Sequence, residues 1–167
     1  AKGMETMTYY SHAVGTHRFL FVCEGPKDLW RHWQVLNENG MTDEYLLISS
    51  TAGRGIPAEW TMEFFAKWDQ VYLGQDNDEA GGGIVGDILG RAGRDLRRVK
   101  VPQEYGKDWT NFWNNGGSID EFQQLLREAP VVELKIDKPE TSKNPQLGFQ
   151  TGRRSYKPVD IRGAYHS

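Results

Sequence analysis

The chain has 167 residues, 38% of them hydrophobic and 12% aromatic, and a net charge of −3. That length predicts one domain with room for short arms, and the six tryptophans argue against disorder. Near-neutral charge excludes a protein that coats nucleic acid by bulk charge, so any such contact must use a local patch or a companion domain.

The lone cysteine, Cys23, excludes an internal disulfide and a cysteine-based zinc site, and points to a reducing, cytoplasmic setting. There is no signal-peptide pattern and no apolar stretch near ~18 residues, so no membrane partner is expected. The chain starts at Ala1, which reads as a processed product or a piece of a longer protein.

In chain order, residues 1–17 read as an irregular N-terminal arm. Phe19 to Cys23 is a continuous apolar run, and so is Tyr45 to Ser50. Residues 69–74 form a weaker run, and 96–101 a fourth that is partly exposed. Unbroken runs of this length suit strands buried on both faces of a parallel sheet. Between them Pro26 opens a helix to about Asn39, with Gly40 as its stop. Its apolar positions Leu29, Trp30, Trp33 and Leu36 recur at helical spacing. A second helix is expected over 57–67, starting at Pro57, and a third over 80–93. Trp30, Trp33, Trp60, Phe64, Phe65 and Trp68 are read as core. Short helices over 108–115 and 119–129 follow, then a strand within Val131–Ile136. Trp109 and Trp113 are placed where they pack these helices onto the sheet. Alternating strands and helices predict an α/β domain over residues 18–136, with a central, mostly parallel sheet of about four strands. Residues 137–167 read as a polar tail or linker.

The chemistry concentrates where the strands end. "VYLGQDNDEAGG" halts an apolar run at Asp76, Asp78 and Glu79, three carboxylates within four residues. Like charges this close raise one another's pKa unless they are hydrated or neutralised. In an open parallel sheet, ligands bind beyond the carboxyl ends of the strands. Glu24 ends the first strand, with Asp28 a turn further on. Asp76 and Asp78 end the third. Glu104 and Asp108 follow the fourth. Hard oxygen ligands grouped this way suit Mg²⁺ or Mn²⁺. Period-two alternation in an extended Asp-x-Asp stretch sends both carboxylates the same way. The plainer alternative is a strand-to-helix turn with Asp as N-cap.

Among the basic residues, Arg54 lies between two glycines at the same edge and is the best single candidate for phosphate binding. Lys27 and Lys107 neighbour the acidic residues and can pair with them or with substrate. Arg91, Arg94, Arg97, Arg98 and Lys100 are read mainly as a solvated helix end and edge strand, with a template or nucleotide-phosphate contact as the alternative. Arg153, Arg154 and Lys157 lie in the tail. The histidines show no ligand spacing and receive no catalytic role.

"FLFVCEGPKD", followed some 50 residues later by "VYLGQDNDEAG", resembles the Toprim domain shared by primases, topoisomerases and some nucleases. The resemblance spans roughly residues 18–130. Asp-x-Asp-x-Ala-Gly entering a helix, and Glu-Gly-x-x-Asp, are similar to the primase branch. "YGKDWTNFW" resembles a segment of phage and plasmid helicase-primases. Gly82-Gly83 departs from it, since relatives carry larger, often basic residues there. The resemblance implies a Toprim-like Rossmannoid fold with a small helical C-terminal extension. It implies Glu24, Asp76 and Asp78 as catalytic and metal-holding residues, with Asp28 and Asp108 joining the metal site. It also implies DNA replication: a nucleotidyltransferase making short primers from nucleoside triphosphates on single-stranded DNA, beside a helicase or zinc-binding domain in the same or a partner chain. A Toprim nuclease and a non-catalytic nucleotide- or partner-binding module are the alternatives. A topoisomerase is not expected, because no separate tyrosine-bearing cleavage domain fits in this length.

Overall fold

The apolar runs do become strands, and they pair into one six-stranded sheet. The structure is a computed structural model that describes residues 5–52 and 55–134. Its strands are β1 (Thr8–Tyr10), β2 (Phe19–Cys23), β3 (Tyr45–Ser50), β4 (Gln70–Gly74), β5 (Leu96–Arg98) and β6 (Val131–Val132). The order across the sheet is β1-β3-β2-β4-β5-β6. The inner four, β3, β2, β4 and β5, are parallel, and β1 and β6 add antiparallel edges. Val22 sits in register with Ile48 on one side and Leu73 on the other. This is the expected α/β architecture, extended by two short edge strands.

The helices are α1 (Pro26–Glu38), α2 (Met62–Phe65), α3 (Glu79–Ala92), α4 (Trp109–Asn114) and α5 (Ile119–Glu128). Alternation along the buried strands feeds two cores. Leu20, Val22, Ile48 and Leu73 pack with Trp60, Phe65, Val85 and Ile88 on one face. Phe21 and Leu47 pack with Leu29, Leu36, Trp109, Phe112 and Phe122 on the other. Each fully buried side chain of this size contributes about 1.5–3 kcal/mol. Trp109 and Trp113 therefore hold the C-terminal helices on the sheet, as the sequence predicts.

Several expectations need correction. Residues 1–17 are not wholly irregular: Thr8–Tyr10 pairs with β3, and Ser11 extends the contact, its amide donating to the Leu47 carbonyl at 2.9 Å. The helix expected over 57–67 shrinks to Met62–Phe65. Pro57 starts only a turn there, closed by the Trp60 amide, and Thr61 caps the helix instead, accepting from the Phe64 amide. Trp30 is not core. It is 45% exposed and stands edge-on to Tyr9, 5.5 Å between ring centres. The strand expected within Val131–Ile136 is Val131–Val132; residues beyond 134 lie outside the described residues. Gly40, the predicted stop of α1, has φ +68, a left-handed conformation that side chains disfavour. No helix among the described residues is long and apolar enough to cross a membrane.

Candidate active site

The carboxyl ends of the inner strands open onto a cleft of about 240 Å³, lined by Glu24, Gly25, Lys27, Asp28, Asp76 and Asp108. A water occupies about 30 Å³ in the liquid, so the space admits a hydrated ion. Four of the five predicted acidic residues thus meet in one place, delivered by different elements. Glu24 directly follows β2. Asp28 lies in the first turn of α1, where Pro26 fixes the start. Asp76 follows β4 by two residues. Asp108 caps α4, accepting from the Asn111 amide at 2.7 Å.

Hydrogen bonds lock these groups together. The Asp76 amide donates to Glu24 Oε2 at 2.6 Å, so one acidic residue aims the backbone of the other. Arg98 donates to the Asp76 carbonyl at 3.2 Å. The Asn77 side chain donates to the Val101 carbonyl at 2.6 Å. Thr110 donates to Asp28 Oδ1 through both its amide, at 3.2 Å, and its hydroxyl. Gly81 is required by close approach: a Cβ there would stand 2.1 Å from the Asp76 carbonyl oxygen. The glycine of the Asp-x-Asp-x-Ala-Gly stretch therefore lets α3 start against the loop that carries Asp76. Gly82 and Gly83 differ, since a side chain at either position meets open space or only the end of Arg98.

The electrostatics are unbalanced. Burial pushes the Asp76 carboxyl up to about 7, helped by Glu24 and then by Asp28 and Asp108. Burial also raises Asp28, and the Asp108 charge adds to it, against the Thr110 hydrogen bonds and Lys27. Lys107 lies 3.8 Å from Asp76 and Lys27 lies 3.5 Å from Asp108. Both lysine side chains are well exposed, so water screens them and they offset little of the negative charge. Four clustered carboxylates with hard oxygen donors and too little positive charge are a donor set that fits a divalent cation. Among the described residues, no group of three acidic, histidine or cysteine side chains is arranged to hold a metal ion directly. A water-rich Mg²⁺ or Mn²⁺ bound through one or two carboxylates matches that geometry.

Asp78 stands apart. It is exposed and caps α3, accepting from the Gly81 amide at 2.8 Å. It lines a neighbouring cleft of about 580 Å³ with Asn77, Lys100, Gln103 and Lys107. The strand ends at Gly74, so period-two alternation does not reach the Asp-x-Asp pair. Asp76 lines the acidic cleft, and Asp78 caps α3 through one carboxylate oxygen. Arg54 lies outside the described residues.

Of the other arginines, Arg94 donates to the carbonyls of Phe65, Trp68 and Asp69, and Arg97 to that of Ala129. They tie elements together rather than face solvent. Arg98 and Thr110 are the site residues that sequence reasoning did not single out. Thr110 carries a faint signal, two residues past a capping Asp. Arg98 reaches Asp76 only through the parallel pairing of β4 with β5, which no local pattern encodes.

Fold and cleft define an α/β domain with an acidic cluster at the carboxyl edge of its parallel strands. Neither the protein-family models nor the curated proteins give a match to this sequence. Among solved structures, the chain is similar to the crystal structure of the Aquifex aeolicus primase, zinc binding and RNA polymerase domains. The likeness has a TM-score of 0.52 at 21% identity, and covers 69% of this chain and 27% of that one. At that identity the likeness is one of fold, a primase-like α/β domain.

Proposed function

We propose that this domain catalyses metal-dependent nucleotidyl transfer of the primase type, joining nucleoside triphosphates into short primers on single-stranded DNA. The observation that carries the reading is the convergence of Glu24, Asp28, Asp76 and Asp108 on one cleft beyond the parallel strands. The primase-like fold supports it. Because the chain spans about a quarter of that neighbour, a helicase or zinc-binding domain elsewhere in the same or a partner chain belongs to the proposal.

Glu24 and Asp76 would hold Mg²⁺ or Mn²⁺, joined by Asp78 through the carboxylate oxygen its α3 cap leaves free, with Asp28 and Asp108 beside them. The bound cation supplies charge neutralisation at the transferring phosphate. The protein's part is positioning. Glu24 fixes the Asp76 backbone, Thr110 fixes Asp28, and the α4 cap fixes Asp108, so the carboxylates do not have to reorganise. Glu24 would ligate the cation or assist in removing the proton of an attacking 3′-hydroxyl. Lys27 and Lys107, beside the acidic residues, would meet triphosphate oxygens, with Lys100 on the neighbouring cleft as a further cation. Arg54 is assigned the same role from its sequence position.

The test incubates the chain, and any longer form, with labelled triphosphates, Mn²⁺ and single-stranded DNA. A parallel reaction holds labelled DNA alone. Primers that disappear in Glu24→Gln are expected. Strand cleavage without synthesis would assign the site to a nuclease, and neither activity would leave a binding role.

A further inference from the structure

At the opposite edge of the sheet, the segment from β1 to β2 meets the turn before β3. Here His12 Nε2 lies 3.0 Å from His17 Nε2 and 2.9 Å from the Thr42 carbonyl oxygen. The two rings stand nearly perpendicular, with centres 4.8 Å apart. Both histidines are half-buried, and Asp43 is exposed next to Thr42.

From this convergence we infer a second metal site, distinct from the acidic cleft, in which His12, His17 and the Thr42 carbonyl hold a borderline cation such as Zn²⁺. Imidazole nitrogens bind Zn²⁺ at about 2.0–2.1 Å, which places two tetrahedral ligands about 3.3 Å apart. The contacts of 3.0 and 2.9 Å fall a few tenths of an ångström short of that spacing, so a small opening of the cluster would admit one ion. Among the described residues, no third acidic, histidine or cysteine side chain joins them in such an arrangement. The site thus has two side chains, one main-chain oxygen and a position left for water or Asp43.

Proton placement argues the same way. The Gly15 amide donates to His17 Nδ1 at 3.2 Å, which puts the proton of neutral His17 on Nε2. The Thr42 carbonyl can only accept, which puts the His12 proton on Nε2 as well. Two N–H groups would then point at each other across 3.0 Å. A cation on the two Nε2 atoms, with each ring's proton moved to Nδ1, resolves the conflict at the expense of the Gly15 bond in an exposed loop. His12 is prepared for that role: its Nδ1 lies 2.7 Å from the buried Ser11 hydroxyl, which also accepts from the Leu47 amide. Metal-bound histidines are oriented in this way by a partner on the other ring nitrogen. Ligation would tie the segment after β1 to the turn before β3, closing the sheet edge.

The experiment uses the full chain stripped of metal, titrated with Zn²⁺ against a chromophoric chelator, with thermal melting alongside. A single Zn²⁺ equivalent is expected to bind, raising Tm by roughly 5 °C or more at a hundredfold excess over Kd. His12→Ala/His17→Ala should weaken binding by about tenfold or more and remove the Tm rise. Nitrogen NMR of the wild-type rings, which needs no variant, should show Zn²⁺ shifting both Nε2 resonances. Unmoved Nε2 resonances, or equal affinity in a folded double variant, would overturn the inference. Loss of Mn²⁺ binding in the acidic cleft leaves it untouched, so the two sites succeed or fail separately.

Discussion

Replacing Asp76 with Asn should stabilise the metal-free protein, although the residue sits in the proposed active site. The Asp76 pKa is about 7 in the fold and about 3.9 in an unfolded chain. The unfolded state therefore holds fewer protons between those values, and the wild type loses stability as pH rises from about 4 to 7. Three units correspond to about 4 kcal/mol as an upper bound. The Asp76 side chain keeps 16% of its exposure and has Lys107 at 3.8 Å, so screening reduces the figure to about 1–2 kcal/mol. An Asn amide can still donate to Glu24 without adding charge. At pH 8 in chelator, Asp76→Asn should melt about 2–8 °C above wild type, and at pH 4 the two should coincide. Adding Mn²⁺ at pH 8 should raise the wild type more than the variant. A variant less stable at pH 8, or a difference that ignores pH, would refute the view that uncompensated carboxylate charge strains this cleft.

Other substitutions separate positioning from packing. Gly81→Ala sets a Cβ against the Asp76 carbonyl, so melting should reveal a loss of about 1–3 kcal/mol, and Mn²⁺ titration a weaker site. Thr110→Val removes the hydroxyl donor and leaves the buried Asp28 carboxylate only the Thr110 amide, costing about 1–3 kcal/mol in denaturant titration. Trp60→Ala, at a position 2% exposed, should cost about 3–5 kcal/mol, whereas Trp30→Ala, on the surface, should cost far less in the same titration. His32 is wholly buried, its Nδ1 accepting from Trp113 at 3.0 Å, and burial lowers its pKa to about 3. The unfolded chain takes up that proton near pH 6.5, so His32 makes stability fall as pH drops from about 6.5 to 3. NMR should find its ring neutral at pH 5.

The sheet interior was legible because β2, β3 and β4 are buried on both faces and read as unbroken apolar runs. The start of α1 was legible because Pro26 acts locally at its first position, and the Asp78 cap of α3 was the plainer alternative the sequence held open. The edges were not. Thr8–Tyr10 and Val131–Val132 are too short to show a period, and each exists only because a neighbouring strand offers a free edge. Trp30 shares helical spacing with buried residues, but the stripe it continues runs off the contact face of α1. At the site, residue types and strand ends located Glu24, Asp28, Asp76 and Asp108. That Asp76 lines the cleft while Asp78 caps α3 depends on where β4 stops, which the sequence leaves open by a residue or two.

Calorimetric titration of the metal-free chain with Mn²⁺ tests the central claim most directly. Binding in the wild type that is lost in Asp76→Ala/Asp78→Ala, with the variant still melting cooperatively, is the predicted result. Undiminished Mn²⁺ binding in that double variant would contradict it, because the carboxylates at the sheet edge would then not be holding the ion.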